Sequence, residues 1–109
     1  MIKPKWVLKL LEFLLPPRKV SVIEDDSPPN RLPMRNLILA REDGEDWAVG
    51  FLCPCGCKRK IELMLIDEVK PNWKLTLDER SRPTIHPSVW LKVGCKSHFW
   101  LRNGKIIWC

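Results

Sequence analysis

The stretch Cys-Pro-Cys-Gly-Cys, residues 53–57, is the most informative part of this 109-residue sequence for its fold. Three alternate cysteines around a proline and a glycine are a poor choice for packing a strand, and disulfides between them would close loops too short to stabilise a fold. Backbone N–H groups in such a bend can point at the sulfurs and favour thiolates, the form of cysteine that binds metal. The stretch therefore predicts a metal-binding turn between two strands.

A second pair of candidate ligands, Cys95 and His98, opens the last hairpin of the chain. Two ligand clusters at strand–turn junctions are typical of a zinc ribbon. Two donor sets fit: four thiolates, or a set in which His98 replaces one thiolate of the triplet. The first set, which we favour, is Cys53, Cys55, Cys57 and Cys95. Cys109 is predicted to be a spectator, and the absence of a nearby glutamate base predicts a structural zinc.

Strand patterns surround these cysteines and predict a mainly β fold, a small zinc-ribbon-like antiparallel β domain over residues 36–109. Asp43-Gly44 and Asn103-Gly104 are the dipeptides of tight two-residue hairpin turns. The predicted strands are residues 36–42, 45–52, 60–66, 73–77, 99–102 and 105–108. The last hairpin would pair Arg102 with Lys105.

Residues 1–16 are predicted to form an N-terminal amphipathic helix, and residues 17–35, with four prolines and an acidic run, a proline-rich linker. The apolar stripe of the helix consists of Trp6, Leu10, Phe13 and Leu14. Lys3, Lys5 and Lys9 accompany it. Two interpretations remain open: the stripe packs on the domain, or it binds a partner or a membrane surface.

The composition of the chain limits the classes of function that it can have. The net charge is +6, and no apolar run reaches the roughly 18 residues of a membrane span. The basic start of the chain lacks a small-residue cleavage site, so we expect a cytoplasmic protein whose cysteines are ligands rather than disulfides. The last thirty residues carry six Lys or Arg and no acid, which would also suit nucleic acid. Those basic residues alternate with apolar ones instead of clustering, which makes a nucleic-acid partner the weaker expectation.

The two histidines, His86 and His98, lie close to the serines Ser88 and Ser97 and are candidates for nucleophilic catalysis. If residues 95–101 are extended, Ser97 faces the same way as Cys95 while His98 points to the other face. Ser88, on a separate strand, could then meet His98 across the sheet. A third member would be Asp46 or Asp78, or the pair could act as a dyad. The alternative is that both serines are turn residues and His98 is a metal ligand.

The ordered motifs resemble a family of small bacterial proteins encoded in bacterial ubiquitination-like (Bub) operons, beside ubiquitin-like proteins and E1-like and E2-like enzymes. The motifs are residues 53–57, Trp73, Thr-Ile-His-Pro-Ser at 84–88, Cys-Lys-Ser-His-Phe-Trp at 95–100, and Trp108. The resemblance covers residues 36–109.

The resemblance implies a zinc-stabilised β domain that acts as a serine-type peptidase on ubiquitin-like conjugates or precursors. It implies the four-cysteine zinc site, Ser88 as nucleophile, His98 as base and Ser97 as reserve nucleophile. It also implies a ubiquitin-like protein, and E1-like or E2-like enzymes, as partners. Two departures stand out: the usual Gly-Asn after Val89 is missing, and Lys58 replaces a usual glycine. The main rival hypothesis is a non-catalytic zinc-ribbon module that binds a partner protein or nucleic acid.

Overall fold

A computed structural model describes residues 4–109 as one helix and eight strands. Helix α1 spans Lys5–Leu14. The strands are β1 Val20–Glu24, β2 Leu37–Glu42, β3 Glu45–Leu52, β4 Lys60–Met64, β5 Lys74–Leu77, β6 Pro83–Trp90, β7 His98–Arg102 and β8 Lys105–Trp108. They form two four-stranded sheets, β1-β2-β3-β4 and β5-β6-β7-β8. The predicted mainly β class with an N-terminal helix is confirmed.

One hydrophobic core lies between the two sheets. Alternate residues of both sheets point into it, as period-two sequence patterns require. The rings of Phe51 on β3 and Phe99 on β7 meet edge to face, with their centroids 6.3 Å apart. Trp108 on β8 also packs edge to face on Phe99, with ring centroids 5.6 Å apart. The cysteine triplet follows β3 of the first sheet, and Cys95 precedes β7 of the second.

Both predicted hairpins are present. Glu42 pairs with Glu45 around Asp43-Gly44, and Arg102 pairs with Lys105 around Asn103-Gly104. All four turn residues have positive φ, between 48° and 79°. Asn, Asp and Gly adopt that region at low cost, so the local sequence is sufficient to specify these turns.

The predicted linker, residues 17–35, contains a strand that the sequence analysis missed. β1 pairs with β2 in parallel, so the first sheet is not wholly antiparallel. Further along the linker, Pro28 packs on the backbone of Gly50, where an added Cβ would lie 2.7 Å from the proline ring. Parallel pairing depends on a distant partner rather than a local turn, and neighbouring prolines obscure the strand pattern. Much of the predicted linker is therefore part of the packed domain.

Helix α1 packs on β8 through a buried polar anchor. The Glu12 carboxylate accepts two contacts from Arg18 Nη1, at 2.7 and 2.6 Å, and one from the backbone N–H of Ile106, at 2.7 Å. Leu8 is buried beside it. Within residues 4–109 no helix is long and apolar enough to cross a bilayer. Lys3, grouped above with Lys5 and Lys9, lies outside the described residues.

Candidate active site and metal centre

The cysteine knuckle, residues 53–57, is held by its own backbone. The N–H of Cys53 donates to the carbonyl of Arg59 at 2.8 Å, and the N–H of Gly56 donates to the carbonyl of Cys53 at 3.3 Å. Gly56 has a φ of 95°, which only glycine adopts readily. Lys58 also has a positive φ, 63°, a left-handed conformation that non-glycine residues rarely adopt. These bends turn successive cysteines to one side.

Four cysteine sulfurs converge on one point. The sulfurs of Cys53, Cys55, Cys57 and Cys95 all lie within 4.8 Å of one another. Cys53 Sγ lies 3.4 Å from Cys55 Sγ and 3.7 Å from Cys95 Sγ. Zn–S bonds of about 2.3 Å arranged as a tetrahedron would separate the sulfurs by about 3.8 Å. The four cysteines could therefore bind a metal ion, and the donor set suits a soft cation.

Ser97 is buried against this cluster. Its hydroxyl oxygen lies 3.2 Å from Cys95 Sγ and 3.6 Å from Cys53 Sγ. Burial raises the pKa of the Cys53 and Cys57 thiols. Burial also acts to raise the pKa of Cys95, but hydrogen bonds, chiefly from the side chain and backbone of Ser97, outweigh it and lower that pKa to about 6. Ser97 thus favours a thiolate at Cys95, the form that binds metal.

Ser88 and His98 meet on the outer face of the second sheet. Ser88 Oγ lies 3.0 Å from His98 Nε2, which is hydrogen-bond distance. Both residues are half-buried. His98 is absent from the cluster of metal-ligand candidates among residues 4–109. The two serines considered above therefore have different partners: Ser88 the imidazole, and Ser97 the thiols.

An irregularity in β6 shapes this contact. Ile85 stands opposite Leu101 and Val89 opposite Phe99, so residues 86–88 face the single residue Trp100. Such bulges re-aim side chains and occur beside active sites. The indole N–H of Trp73 also donates to the carbonyl of Ser88, at 3.4 Å. The bulge and this anchor fix the segment that carries Ser88.

Trp90 covers the imidazole of His98. It pairs with His98 across the sheet, and the two rings stack with centroids 5.0 Å apart and planes 16° apart. Lys92 Nζ lies 4.9 Å from the centre of the same indole. This role of Trp90 was not predicted from the sequence. Its only signal was its place two residues after Ser88, which puts both side chains on one face of a strand.

Neither Asp46 nor Asp78, the two carboxylates considered as the third member of a triad, contacts His98. The Asp46 carboxylate accepts from Arg41 Nε at 2.6 Å. The Asp78 carboxylate accepts from Arg82 Nε and from nearby backbone N–H groups. Both carboxylates are instead bound by arginines on other parts of the fold, so neither is the third member of a triad with His98. Among residues 4–109, no carboxylate is hydrogen-bonded to His98.

The remaining candidates lie apart from the pair. His86 is exposed, and its ring packs at 5.8 Å from that of Trp100 rather than on Ser88. Cys109 is exposed and is not part of the sulfur cluster. The site thus has two neighbouring parts: a serine–histidine pair on the outer face, and a thiol cluster behind it.

Comparison with known proteins agrees with the motif resemblance. The family model for the bacterial ubiquitination-like system serine protease (BubE) matches residues 23–109. Searches of curated proteins and of solved structures found no match. The family's name suggests a serine protease in a bacterial ubiquitination-like system. Because the match spans most of the sequence, the chain belongs to the BubE family.

Proposed function

We propose that this protein is a serine-type peptidase that cleaves conjugates or precursors of a ubiquitin-like protein. The observation that carries the proposal is the 3.0 Å contact between Ser88 Oγ and His98 Nε2 in a chain of a serine protease family. A hydroxyl is a weak nucleophile at neutral pH unless a neighbouring base removes its proton. An imidazole nitrogen at hydrogen-bond distance is such a base.

The proposed reaction is acyl transfer in two steps. Ser88 Oγ attacks the carbonyl carbon of the ubiquitin-like protein's C-terminal glycine, and His98 Nε2 takes the hydroxyl proton. His98 then gives this proton to the leaving amine as the amide bond breaks, which leaves an ester on Ser88. In the second step, water loses a proton to His98 and hydrolyses the ester, and Ser88 recovers its proton. For both steps, neutral His98 carries its ring proton on Nδ1.

Trp90 is proposed to fix the orientation of the His98 ring for this proton transfer. In a triad, a carboxylate fixes the orientation of the histidine ring. Here an indole face stacked 5.0 Å from the imidazole limits its rotation. A serine–histidine dyad supported by an aromatic ring is therefore the proposed catalytic unit.

The four-cysteine cluster is proposed to hold structural zinc. Bound zinc would supply a cross-link between residues 53–57 and Cys95 and would take no part in the reaction. Cys95 lies three residues before His98, so this cross-link fixes the start of β7 and with it the base. Ser97, the reserve nucleophile of the sequence analysis, is assigned to this centre instead. Thiolate ligands require a reducing compartment, so the proposed place of action is the cytoplasm, alongside E1-like or E2-like partners.

Turnover of a substrate by variants tests the proposal. The substrate is the ubiquitin-like protein extended by a short peptide after its C-terminal glycine, and intact mass measures its cleavage. Ser88→Ala should lower kcat/KM at least about a thousandfold, because the nucleophile is lost. Ser97→Ala, compared at equal zinc content, should retain cleavage. Equal cleavage by Ser88→Ala and the wild-type protein would contradict the assignment.

A further inference from the structure

Helix α1 is apolar on two opposite faces, and only one of them packs on the protein. The inner face carries the buried residues Leu8 and Glu12. The outer face is made of Trp6, Leu10, Phe13 and Leu14, which are exposed by 69%, 48%, 83% and 66%. These four residues are called the outer stripe below. Single exposed apolar residues are common on protein surfaces. Four large apolar side chains on one stripe form a contiguous patch, and such patches mark binding surfaces.

The charge around the outer stripe is positive. Lys5 and Lys9, the basic residues of α1, are both exposed. The one acid of the helix, Glu12, is buried and held by Arg18 and the Ile106 N–H, so it presents no negative charge outward. Lys105 adds a further cation at the end of the helix, where its Nζ donates to the carbonyls of Glu12 and Leu15.

Acidic residues gather on the first sheet instead. Asp25 and Asp26 follow β1, and Glu24 ends it and accepts a hydrogen bond from the N–H of Asp43. Neighbouring acids, together with burial as the larger cause, raise the pKa of Glu42 in the same group. Helix α1 packs on β8 of the other sheet. The protein therefore combines positive charge with apolar surface at α1 and keeps its acidic cluster on a different part of the fold.

We infer that the outer stripe of α1 docks on an anionic lipid surface. The stripe is exposed, and its aromatic and aliphatic groups with neighbouring lysines are the pattern of an interfacial helix. Ten residues of helix are about 15 Å long, half of a bilayer core, so the helix would lie in the plane of the interface. This inference does not depend on the proposed peptidase activity.

Vesicle flotation of the full-length, zinc-loaded protein tests the inference. Vesicles of phosphatidylcholine alone are compared with vesicles containing phosphatidylglycerol. We expect binding to the phosphatidylglycerol vesicles that weakens as salt is raised, because screening reduces the attraction of Lys5 and Lys9. Phe13→Asp should weaken this binding at least about tenfold, since it removes an aromatic group from the apolar stripe and adds a negative charge. Lys9→Gln should weaken it about fivefold.

A matched control separates the helix from surface charge in general. Val93 is 73% exposed and lies outside α1, so Val93→Asp adds the same charge elsewhere and should leave vesicle binding unchanged. Three results would overturn the inference: no binding to either vesicle, equal loss in Phe13→Asp and Val93→Asp, or self-association that Phe13→Asp abolishes without any vesicle binding. Equal loss in the two variants would assign the effect to net charge. Self-association without vesicle binding would assign the stripe to contact with a second copy of the chain.

Discussion

Ser88 and Ser97 show how strand alternation divides two similar residues between two kinds of chemistry. The hydroxyl of Ser97 lies in the interior, 3.2 Å from the sulfur of Cys95. The hydroxyl of Ser88 lies on the outer face, 3.0 Å from the imidazole of His98. Neighbouring residues of a strand point to opposite faces, so Ser97 and His98 do not share a surface although they are adjacent in sequence.

The sequence offered this division as one of two interpretations, on the condition that residues 95–101 are extended. In the structure β7 begins at His98 and Lys96 has a φ of 55°, so a turn rather than a strand brings Cys95 beside Ser97. The positions of Ser88 and His98 on separate predicted strands allowed them to meet across the sheet, and the structure brings them together. The stack of Trp90 on His98 could not be predicted. It depends on the register between β6 and β7, which the bulge over residues 86–88 shifts. A local pattern does not reveal such a shift.

Trp90 is the residue whose substitution best tests the orientation of the base. Trp90→Leu should lower kcat at least about tenfold, because the imidazole would rotate out of line with Ser88. Trp90→Phe keeps an aromatic face and should restore most of the rate. Trp90 is 58% exposed, so the melting temperature and zinc content should change little in either variant. Steady-state rates across a range of pH measure the effect; identical rates for Leu and Phe would argue against a positioning role.

At the scale of elements, the two hairpins share one turn chemistry but have different surroundings. Gly44 has a φ of 77° and open space around it. Gly104 has a φ of 79°, and a Cβ there would lie 2.4 Å from the carbonyl oxygen of Arg18. The N–H of Arg18 donates to the carbonyl of Gly104, and the N–H of Gly104 donates to that of Pro83, each at 2.8 Å. The second turn is where the segment after α1 joins the sheet.

This pair of glycines gives a matched test of that junction. Gly44→Ala should destabilise the fold by about 1 kcal/mol, the cost of a side chain in the left-handed region. Gly104→Ala should cost about 2 kcal/mol more, because its methyl group displaces the backbone of Arg18. Denaturant unfolding of the two zinc-loaded variants gives both values. Equal losses would mean that residues 17 and 18 are not fixed against the turn.

The elements also show which features of a fold are encoded locally. The hairpins around Asp43-Gly44 and Asn103-Gly104 were predictable because each turn is specified by two residues. Strand β1 was not, because its partner β2 lies in parallel across a proline-rich connection. The anchor of α1, in which Glu12 binds Arg18 and the Ile106 N–H, joins positions 94 residues apart. No local pattern in the sequence predicts such a contact.

At the scale of the whole molecule, the thiol cluster joins the two sheets at one edge of their shared core. Residues 53–57 continue from β3 of the first sheet, and Cys95 leads into β7 of the second. A domain of this size has a small core, and metal sites are a common means of stabilising such domains. The alternation of cysteines predicted the site, although the sequence alone left His98 as a competing ligand.

Removal of the metal should therefore loosen the whole domain. The protein is expected to contain one zinc ion per chain, and Cys57→Ser should lose it and melt at least about 10 °C lower. Cys109→Ser is the matched control, because Cys109 is an exposed thiol outside the cluster. Elemental analysis and thermal unfolding measure both effects. Full zinc retention in Cys57→Ser, or its loss in Cys109→Ser, would be inconsistent with the assigned ligands.

The proposed peptidase activity requires that Ser88 is a nucleophile activated by His98. The most direct measurement is the intact mass of the zinc-loaded protein after treatment with a fluorophosphonate, which bonds covalently to activated serines. We predict one adduct per chain, located on Ser88 by peptide mapping, abolished in Ser88→Ala and still formed in Ser97→Ala. An adduct on Ser97, or no adduct on a protein that cleaves its substrate, would contradict this claim.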